Sequence, residues 1–290
     1  MKVETIAEQL YFTTILIESQ TNEGITSVGT GFIIDVEHKT QHGSFLVTNK
    51  HVVNGGAKGV LRFHLKEEGN LDLRQGYRLN MPNFNTYWIS HPDPKVDVTV
   101  MSMPVVLEHA KQSGKELYYR SIPQSLGPSE RDLEELDALE ELVFVGYPLG
   151  IYDEAHYLPV VRRGITASPL QVDHDGERKF LIDVAVFPGS SGSPVFILDR
   201  GVYPKRGGGV VLADRTLFLG ILAAGYYESS AGGVVRTPIP TGEQHPSGAG
   251  KQMINLGIVF KAETVFELAQ SMISGEPITK SAANINEKLT

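Results

Sequence analysis

The chain has 290 residues, 41% of them hydrophobic, and a net charge of −8 with acidic and basic residues interspersed. This is enough for one large domain or two small ones, and it argues against a surface for nucleic acid or an anionic membrane. The absence of cysteine excludes disulfides, thiolate zinc sites and a cysteine nucleophile. It fits a reducing compartment, and we expect a soluble cytoplasmic protein without a secretory signal or membrane span.

Short strand-like runs separated by polar turns fill the first half of the chain. Residues 11–18, 27–35, 44–48, 60–65 and 86–91 are rich in β-branched and aromatic side chains. The 30 glycines and 16 prolines, with few helical heptads, favour many short strands joined by turns. The sequence therefore predicts an all-β fold.

His51 lies where an apolar strand ends and Thr48-Asn49 opens a short turn or helix. A strand end is a rigid place for a catalytic side chain, although a histidine satisfied by nearby backbone is the alternative. His38 and His42 have the spacing of two metal ligands on a helix. They fall in a polar turn and no Glu follows His38, so we interpret them as exposed turn residues.

Asp97 stands in an apolar run that we predict to be a strand. A carboxylate there is costly to desolvate and should have a hydrogen-bonding partner. The alternative is an edge-strand residue that faces water, which the apolar neighbours on both sides disfavour.

A linker separates the two halves of the chain. Ser129 and the acidic residues after it are typical of a helix start, and we interpret the acidic run as a solvated helix face. Strands resume at residue 142, and residues 160–167 form another, in which Arg162-Arg163 is a polar interruption. The acidic and histidine residues at 173–177 are predicted to be a hairpin turn rather than a metal site.

Five consecutive small residues separate the apolar runs at 180–184 and 194–198, namely Gly189-Ser190-Ser191-Gly192-Ser193. Such a loop lets backbone N–H groups converge on a ligand oxygen, and a serine within it is a candidate nucleophile. A Ser/Gly-rich surface turn is the alternative.

Strands and one helix complete the chain. Residues 217–226 and 255–260 are predicted strands, and residues 262–273 a helix with one apolar face followed by a polar tail. Between them we expect a mobile insertion over residues 228–250. The run at 248–252 is similar to a phosphate loop but lacks the first glycine, so we reject it.

The order His51, Asp97, Ser191 suits a nucleophile with its base and orienting acid. Ser191 would attack a carbonyl, His51 would take its proton, and Asp97 would hold the imidazole. The backbone N–H groups of Gly189 and Ser191 would hold the oxyanion. An α/β-hydrolase, the esterase-like alternative, is disfavoured because it places its serine before its acid and histidine.

Three motifs in order resemble the chymotrypsin-fold (trypsin-like) serine peptidases, and most of all the bacterial HtrA-like branch. They are residues 29–32 with 48–53, 97–100 and 189–194, and residues 146–150 also resemble that branch. The resemblance implies an all-β fold of two antiparallel six-stranded β-barrels with a C-terminal α-helix. No PDZ module follows, so HtrA regulation is not carried over.

The resemblance also implies four divisions of the chain. They are an N-terminal barrel (1–120) with His51 and Asp97, a linker with a short acidic helix (121–141), a C-terminal barrel (142–262) with Ser191, and a helix with a polar tail (263–290).

The primary side-chain pocket implied by the resemblance is lined by Ala185, Ala223, Ala224 and Gly225. No acidic residue stands there, so we expect a small or medium apolar side chain before the scissile bond. The sequence departs from the family pattern at Ser190, where Asp or Asn is usual, and at Ser193, where Gly is commoner.

We therefore predict a serine endopeptidase that acts on polypeptides, without cofactor or metal and without nucleic-acid or membrane partners. No zymogen cleavage signal is evident, so active-site ordering would come from the chain itself, from the substrate or from a regulatory protein partner. The alternative is a catalytically silent peptide-binding or scaffolding module on the same fold, which an intact triad disfavours.

Overall fold

Two antiparallel sheets dominate the protein in a computed structural model that describes residues 2–228, 234–238 and 252–278. Within these ranges, no helix combines the length and apolar character needed to cross a bilayer. Most of the insertion expected at 228–250, most of the rejected phosphate-loop-like run at 248–252, and the polar tail from residue 279 lie outside the described residues.

The first sheet takes its strands from the first half of the chain. They are β1 (Thr14–Gln20), β2 (Thr26–His38), β3 (Gln41–Thr48), β4 (Lys58–Glu67), β5 (Asn70–Pro82), β6 (Ile89–Ser90), β7 (Thr99–Ser102), β8 (Leu117–Tyr118) and β9 (Ile122–Pro123). The order is β5-β4-β1-β2-β3-β7-β6, with β8 beside β4 and β9 parallel to β2. Thr48 at the end of β3 pairs with Thr99 at the start of β7, which brings the segments of His51 and Asp97 together.

The second half forms a closed barrel. Its strands and a small hairpin are β10 (Glu141–Gly146), β11 (Val160–Thr166), β12 (Lys179–Asp183), β13 (Pro194–Asp199), β14 (Tyr203–Pro204), β15 (Val210–Val211), β16 (Arg215–Glu228), β17 (Val234–Pro238) and β18 (Gln252–Lys261). The order β13-β10-β11-β12-β18-β16 closes where β13 pairs with β16, while β17 adds to β16 and β14 pairs with β15. The predicted chymotrypsin-like double barrel is confirmed.

Helices lie at the ends of the chain and between strands of the two sheets. They are α1 (Ile6–Thr13), α2 (Lys50–Val53), α3 (Met103–Gln112), α4 (Glu130–Glu135) and α5 (Ala262–Ser274). The acidic helix after Ser129 and the C-terminal helix lie where the sequence predicts them. The first strand begins at Thr14 rather than at residue 11, because a capping box of Thr5 and Glu8 starts a helix just before it.

A shared apolar core joins the two sheets and α5. It combines Phe32 and Val100 of the first sheet with Phe218 and Phe260 of the second and Val265 of α5, all buried. Burying each of these side chains contributes about 1.5–3 kcal/mol. The core therefore fixes the two halves face to face, as a site between them requires.

The segment before β7 differs from the predicted strands. Residues Phe84–Tyr87 form a 3₁₀ turn, β6 is only two residues long, and Asp97 precedes β7 instead of lying within it. Pro92 and Pro94 lack the N–H that a ladder needs, so the chain leaves the sheet and turns back. Asp97 is thus placed beside the sheet, where its side chain can reach the turn after β3.

Candidate active site

Ser191 lies in the loop between β12 and β13, and hydrogen bonds shape that loop locally. The Ser190 N–H donates to the Phe187 carbonyl at 3.0 Å, and the Gly192 N–H donates to the Leu222 carbonyl at 2.8 Å. The second bond ties the loop to β16. The nucleophile candidate is therefore held by a turn on one side and by the barrel wall on the other.

Two glycines in this loop are required by their backbone angles and their neighbours. Gly189 has φ +85° and Gly192 has φ +87°. A Cβ at Gly189 would overlap the Tyr147 carbonyl oxygen, and one at Gly192 would overlap the Thr30 carbonyl oxygen. Both the left-handed conformation and the close approach exclude larger residues. The small residues seen in the sequence thus let the loop pack tightly on its surroundings.

His51 belongs to α2, the helical turn that follows β3. Its Nδ1 lies 2.5 Å from Asp97 Oδ2, and its Nε2 lies 2.8 Å from Ser191 Oγ. The His51 backbone N–H also donates to Asp97 Oδ1 at 3.3 Å. The three predicted side chains therefore form one continuous hydrogen-bonded chain that crosses between the two sheets.

Within the described part of the chain, the groups that hold Asp97 come from the first half. The Asn49 side chain donates to the Asp97 carbonyl at 2.7 Å, and Lys50 Nζ donates to the carbonyls of His91 and Asp93 at 2.8 and 3.0 Å. Burial lowers the pKa of Lys50, against the opposing effect of Asp97 and Asp93. These contacts fix the loop of Asp97 against the turn of His51.

Thr30 on β2 ties the first sheet to the serine loop. Its N–H donates to the Ser191 carbonyl at 2.8 Å and its Oγ1 donates to the Gly189 carbonyl at 2.9 Å. The same Oγ1 accepts from the Tyr147 N–H at 3.1 Å, and the Thr30 carbonyl accepts from Thr48 Oγ1 at 2.7 Å. Through this one residue, the position of Ser191 is set relative to the strand that leads to His51.

The two predicted donors for an oxyanion lie in the loop that carries Ser191. The Gly189 N–H, one of the two predicted donors, has no acceptor within the described part of the chain. The second predicted donor is the backbone N–H of Ser191 itself, two residues further on. Ser190, which stands where the family has Asp or Asn, is buried, and its Oγ has no partner among the described residues.

A groove of about 460 Å³ runs beside the histidine and the aspartate. Its lining includes His51, Asp97, Ala223 and Ala224 from both halves. Ser191 is fully buried, whereas the side chains of His51 and Asp97 are 19% and 23% exposed. A substrate carbonyl would therefore need local displacement of neighbouring groups to reach Ser191 Oγ.

The predicted pocket residues fall on two different walls. Ala224 and Gly225 are buried in β16 and have ladder partners on both edges, in β17 and in β18. Ala185 lies just after β12, and its carbonyl accepts a hydrogen bond from Arg162. That these residues line the primary pocket stays a prediction. The residue bonded to the Ala185 carbonyl is Arg162, which was predicted only as a polar interruption of a strand.

The two sequence patterns with metal-ligand spacing lie in and beside connections between strands. Among the described residues, no group of three or more His, Asp and Glu side chains could hold a metal ion. His38 and His42 were predicted to be exposed turn residues, but they lie in the strands beside the β2–β3 turn, and His38 is half-buried. Residues His174–Gly176 form a 3₁₀ turn between β11 and β12.

Thr30 and Asn49 position the candidate residues, and the sequence did not single them out for that role. Asn49 stands beside His51 in the motif, so proximity was a usable signal. Thr30 lies in the glycine-flanked run 29–31 of β2, whose small residues indicated a close backbone approach. Nothing in the sequence named its partner, Ser191.

The model of the trypsin-like peptidase domain matches residues 29–202 of the chain. No curated protein is significantly similar in sequence. Solved structures give distant overlays that cover 92% of this chain. One is the Rv3671c protease in an inactive form, 17% identical over 91% of its chain with a TM-score of 0.41. Another is the thermostable serine protease AL20 from an extremophilic microorganism, 14% identical over 99% of its chain with a TM-score of 0.44. A third is a scabies mite inactivated protease paralogue, 14% identical over 98% of its chain with a TM-score of 0.41.

Proposed function

Because the chain belongs to the trypsin-like peptidase family, we propose that it is a serine endopeptidase that works through Ser191, His51 and Asp97. The observation that carries the proposal is the hydrogen-bonded chain from Asp97 Oδ2 through the imidazole to Ser191 Oγ, at 2.5 and 2.8 Å. A serine hydroxyl becomes a useful nucleophile only when a base within this range can take its proton.

In the acylation step, Ser191 Oγ forms a bond to the carbonyl carbon of the scissile peptide while its proton moves to His51 Nε2. Asp97 accepts from Nδ1–H, which fixes the tautomer and stabilises the imidazolium. The negative charge on the former carbonyl oxygen is held by the N–H groups of Gly189 and Ser191. Each such donor contributes on the order of 10²–10³ in rate.

The intermediate then breaks its C–N bond, and the imidazolium gives its proton to the leaving amine. An ester of Ser191 remains. Water attacks that ester with His51 again as the base, and the carboxylic acid product leaves with Ser191 regenerated. No cofactor is needed in either half of the cycle, and the substrate class is polypeptide.

Access to Ser191 is the feature that a regulatory partner could govern. The residue is fully buried in the structure. A substrate or a partner protein that displaces the neighbouring surface would therefore raise the rate of acylation. The cytoplasmic setting and the HtrA-like branch stay predictions of the sequence.

The alternative, a silent peptide-binding module, is separated from the peptidase by covalent labelling with a small fluorophosphonate. We expect the wild-type protein to be labelled at Ser191, as read by mass spectrometry of the modified peptide. Ser191→Ala and His51→Ala should lose the label.

A matched control lies in the same loop. Ser193 is equally buried and its Oγ has no partner among the described residues. Ser193→Ala should therefore fold and label like the wild type. A folded wild-type protein that takes no label, or takes it elsewhere, would contradict the proposal and favour the silent module.

A further inference from the structure

Arg162 faces the interior side of the second barrel. Along β11 the odd positions Val161, Arg163 and Ile165 are exposed, whereas Arg162 is half-buried with Val160 and Gly164 on the same face. Its ladder partner on β10 is Phe144, a core residue that is 1% exposed. An arginine on this face is unexpected, because charged side chains are rarely buried without a partner.

The Arg162 side chain ends beside the segment that leads to the serine loop. Its Nη1 donates to the Ala185 carbonyl, and its guanidinium carbon lies 5.1 Å from the centre of the Phe187 ring. Gly164 permits this approach, since a Cβ there would overlap the Val184 side chain. The segment Val184–Phe187 therefore lies directly against the strand that carries the charge.

No carboxylate pairs with Arg162 among the described residues. The other half-buried arginines each have one, since Arg62 pairs with Glu18 at 2.9 Å, Arg178 with Glu267 at 2.6 Å and Arg215 with Glu140 at 2.6 Å. The pKa shifts agree in direction: burial lowers the pKa of Arg162, while carboxylate partners outweigh burial and raise it at the other three.

The aromatic ring beside the Arg162 guanidinium lies close in the chain to the proposed nucleophile. The Phe187 carbonyl accepts from the Ser190 N–H at 3.0 Å, so the ring beside Arg162 and the residue before Ser191 belong to one turn. Phe187 as a whole residue is 40% exposed. When the Gly189 N–H binds the carbonyl oxygen of the scissile peptide, the side chain of the substrate residue that carries this carbonyl would extend along the wall formed by Phe187 and Ala185.

From these observations we infer that Arg162 selects substrates with Asp or Glu immediately before the scissile bond, its free guanidinium N–H groups binding the side-chain carboxylate. A guanidinium presents donors in a fork that fits a carboxylate, and aromatic rings can stack on its faces at the same time. The inference rests on the proposed peptidase function and replaces the expectation of an apolar residue at this position.

The test is a peptide-library cleavage profile of the full chain, run beside fluorophosphonate labelling of the same samples. The wild type should cleave after Glu or Asp. Arg162→Leu should lose about 100-fold in kcat/KM on those sites relative to Ala or Leu sites, because a binding group for the substrate carboxylate is gone. Its labelling rate should stay near that of the wild type, since the probe carries no carboxylate.

Two further variants keep the test decisive if Arg162→Leu folds poorly. Arg162→Lys retains the charge and should retain an acidic preference with a weaker kcat/KM. Arg163→Leu changes the adjacent arginine, which is exposed and pairs with Glu141 on the outer face, and should leave the profile unchanged.

The outcomes separate the two proposals. A labelled wild type that cleaves after apolar or basic residues, or an acidic preference that survives in Arg162→Leu, overturns the role of Arg162 and leaves the peptidase intact. A folded wild type that takes no label overturns the peptidase and the inference with it.

Discussion

The two halves of the chain supply the active-site candidates in different ways. In the first half, His51 and Asp97 are joined by direct hydrogen bonds and by Asn49, all within one sheet and its adjoining turns. In the second half, Ser191 lies in a glycine-containing turn whose position depends on hydrogen bonds from Thr30 in the first half. The candidate base and its acid are thus assembled within one half, whereas the candidate nucleophile is aligned only when the two halves pack together.

The largest effect should come from breaking the pair within the first half. Asp97→Asn keeps the shape but offers the imidazole an amide in place of a carboxylate, so the wrong tautomer is favoured. We expect kcat to fall about 10⁴-fold with little change in KM. Steady-state kinetics on a peptide substrate measures this.

As a control, Asp93→Asn changes a nearby carboxylate of the same segment, whose side chain accepts from the Lys95 N–H. Its activity should stay within a few-fold of the wild type. Equal losses in the two variants would mean that Asp97 has no special part in catalysis.

A smaller effect should follow from disturbing the contact between the halves. Gly192→Ala places a Cβ against the Thr30 carbonyl. It also strains the backbone, because φ is +87° at this position. Displacement of Ser191 by about 1 Å should lower kcat/KM about 100-fold, and overpacking should cost about 1–3 kcal/mol of stability. Steady-state kinetics measures the loss of kcat/KM, and denaturant unfolding measures the loss of stability.

Gly201 offers the matched control, since it has φ +76° and nothing lies within 4 Å of the position of an added Cβ. Gly201→Ala should cost about 1–2 kcal/mol through strain alone and leave kcat/KM unchanged. If Gly192→Ala behaved in the same way, the interface would not align the nucleophile.

The smallest effect concerns α5, which contacts both halves of the chain through Glu267. Glu267 on α5 contacts His91 of the first half at 2.7 Å and Arg178 of the second at 2.6 Å. Burial alone would raise the pKa of Glu267, but the hydrogen bonds from His91 and Arg178 outweigh it and hold this pKa below its usual range. The ionised carboxylate therefore stabilises the fold above the unfolded-state pKa, and that stabilisation is lost as pH falls through the lower folded-state pKa.

Glu267→Gln should accordingly lower the free energy of unfolding by about 1–3 kcal/mol at neutral pH, with a difference that shrinks below about pH 4. Urea unfolding at several pH values measures it. Glu276→Gln removes only an exposed contact with Lys39 and should cost less than about 1 kcal/mol. A difference for Glu267→Gln that grows as the pH falls would reverse the assigned sign.

The sequence predicts a structural feature well when the residues that determine it lie in one short stretch of the chain. His51, Asp97 and Ser191 each stand in a short motif. Short strand-like runs separated by turns predicted an all-β fold, and the family resemblance implied the double barrel. The helix α3 was missed because its apolar residues follow directly on the β7 strand pattern. Arg162 was interpreted only as a polar interruption of a strand, since its position beside Ala185 depends on the β10–β11 register and on the missing Cβ of Gly164, neither of which is visible in a local pattern.

Denaturing mass spectrometry of protein quenched during turnover of a peptide p-nitrophenyl ester tests the nucleophile most directly. We predict a burst of p-nitrophenol and an acyl mass on the peptide that contains Ser191, both absent in Ser191→Ala. Turnover with no acyl adduct, or with the adduct on another residue, would contradict it.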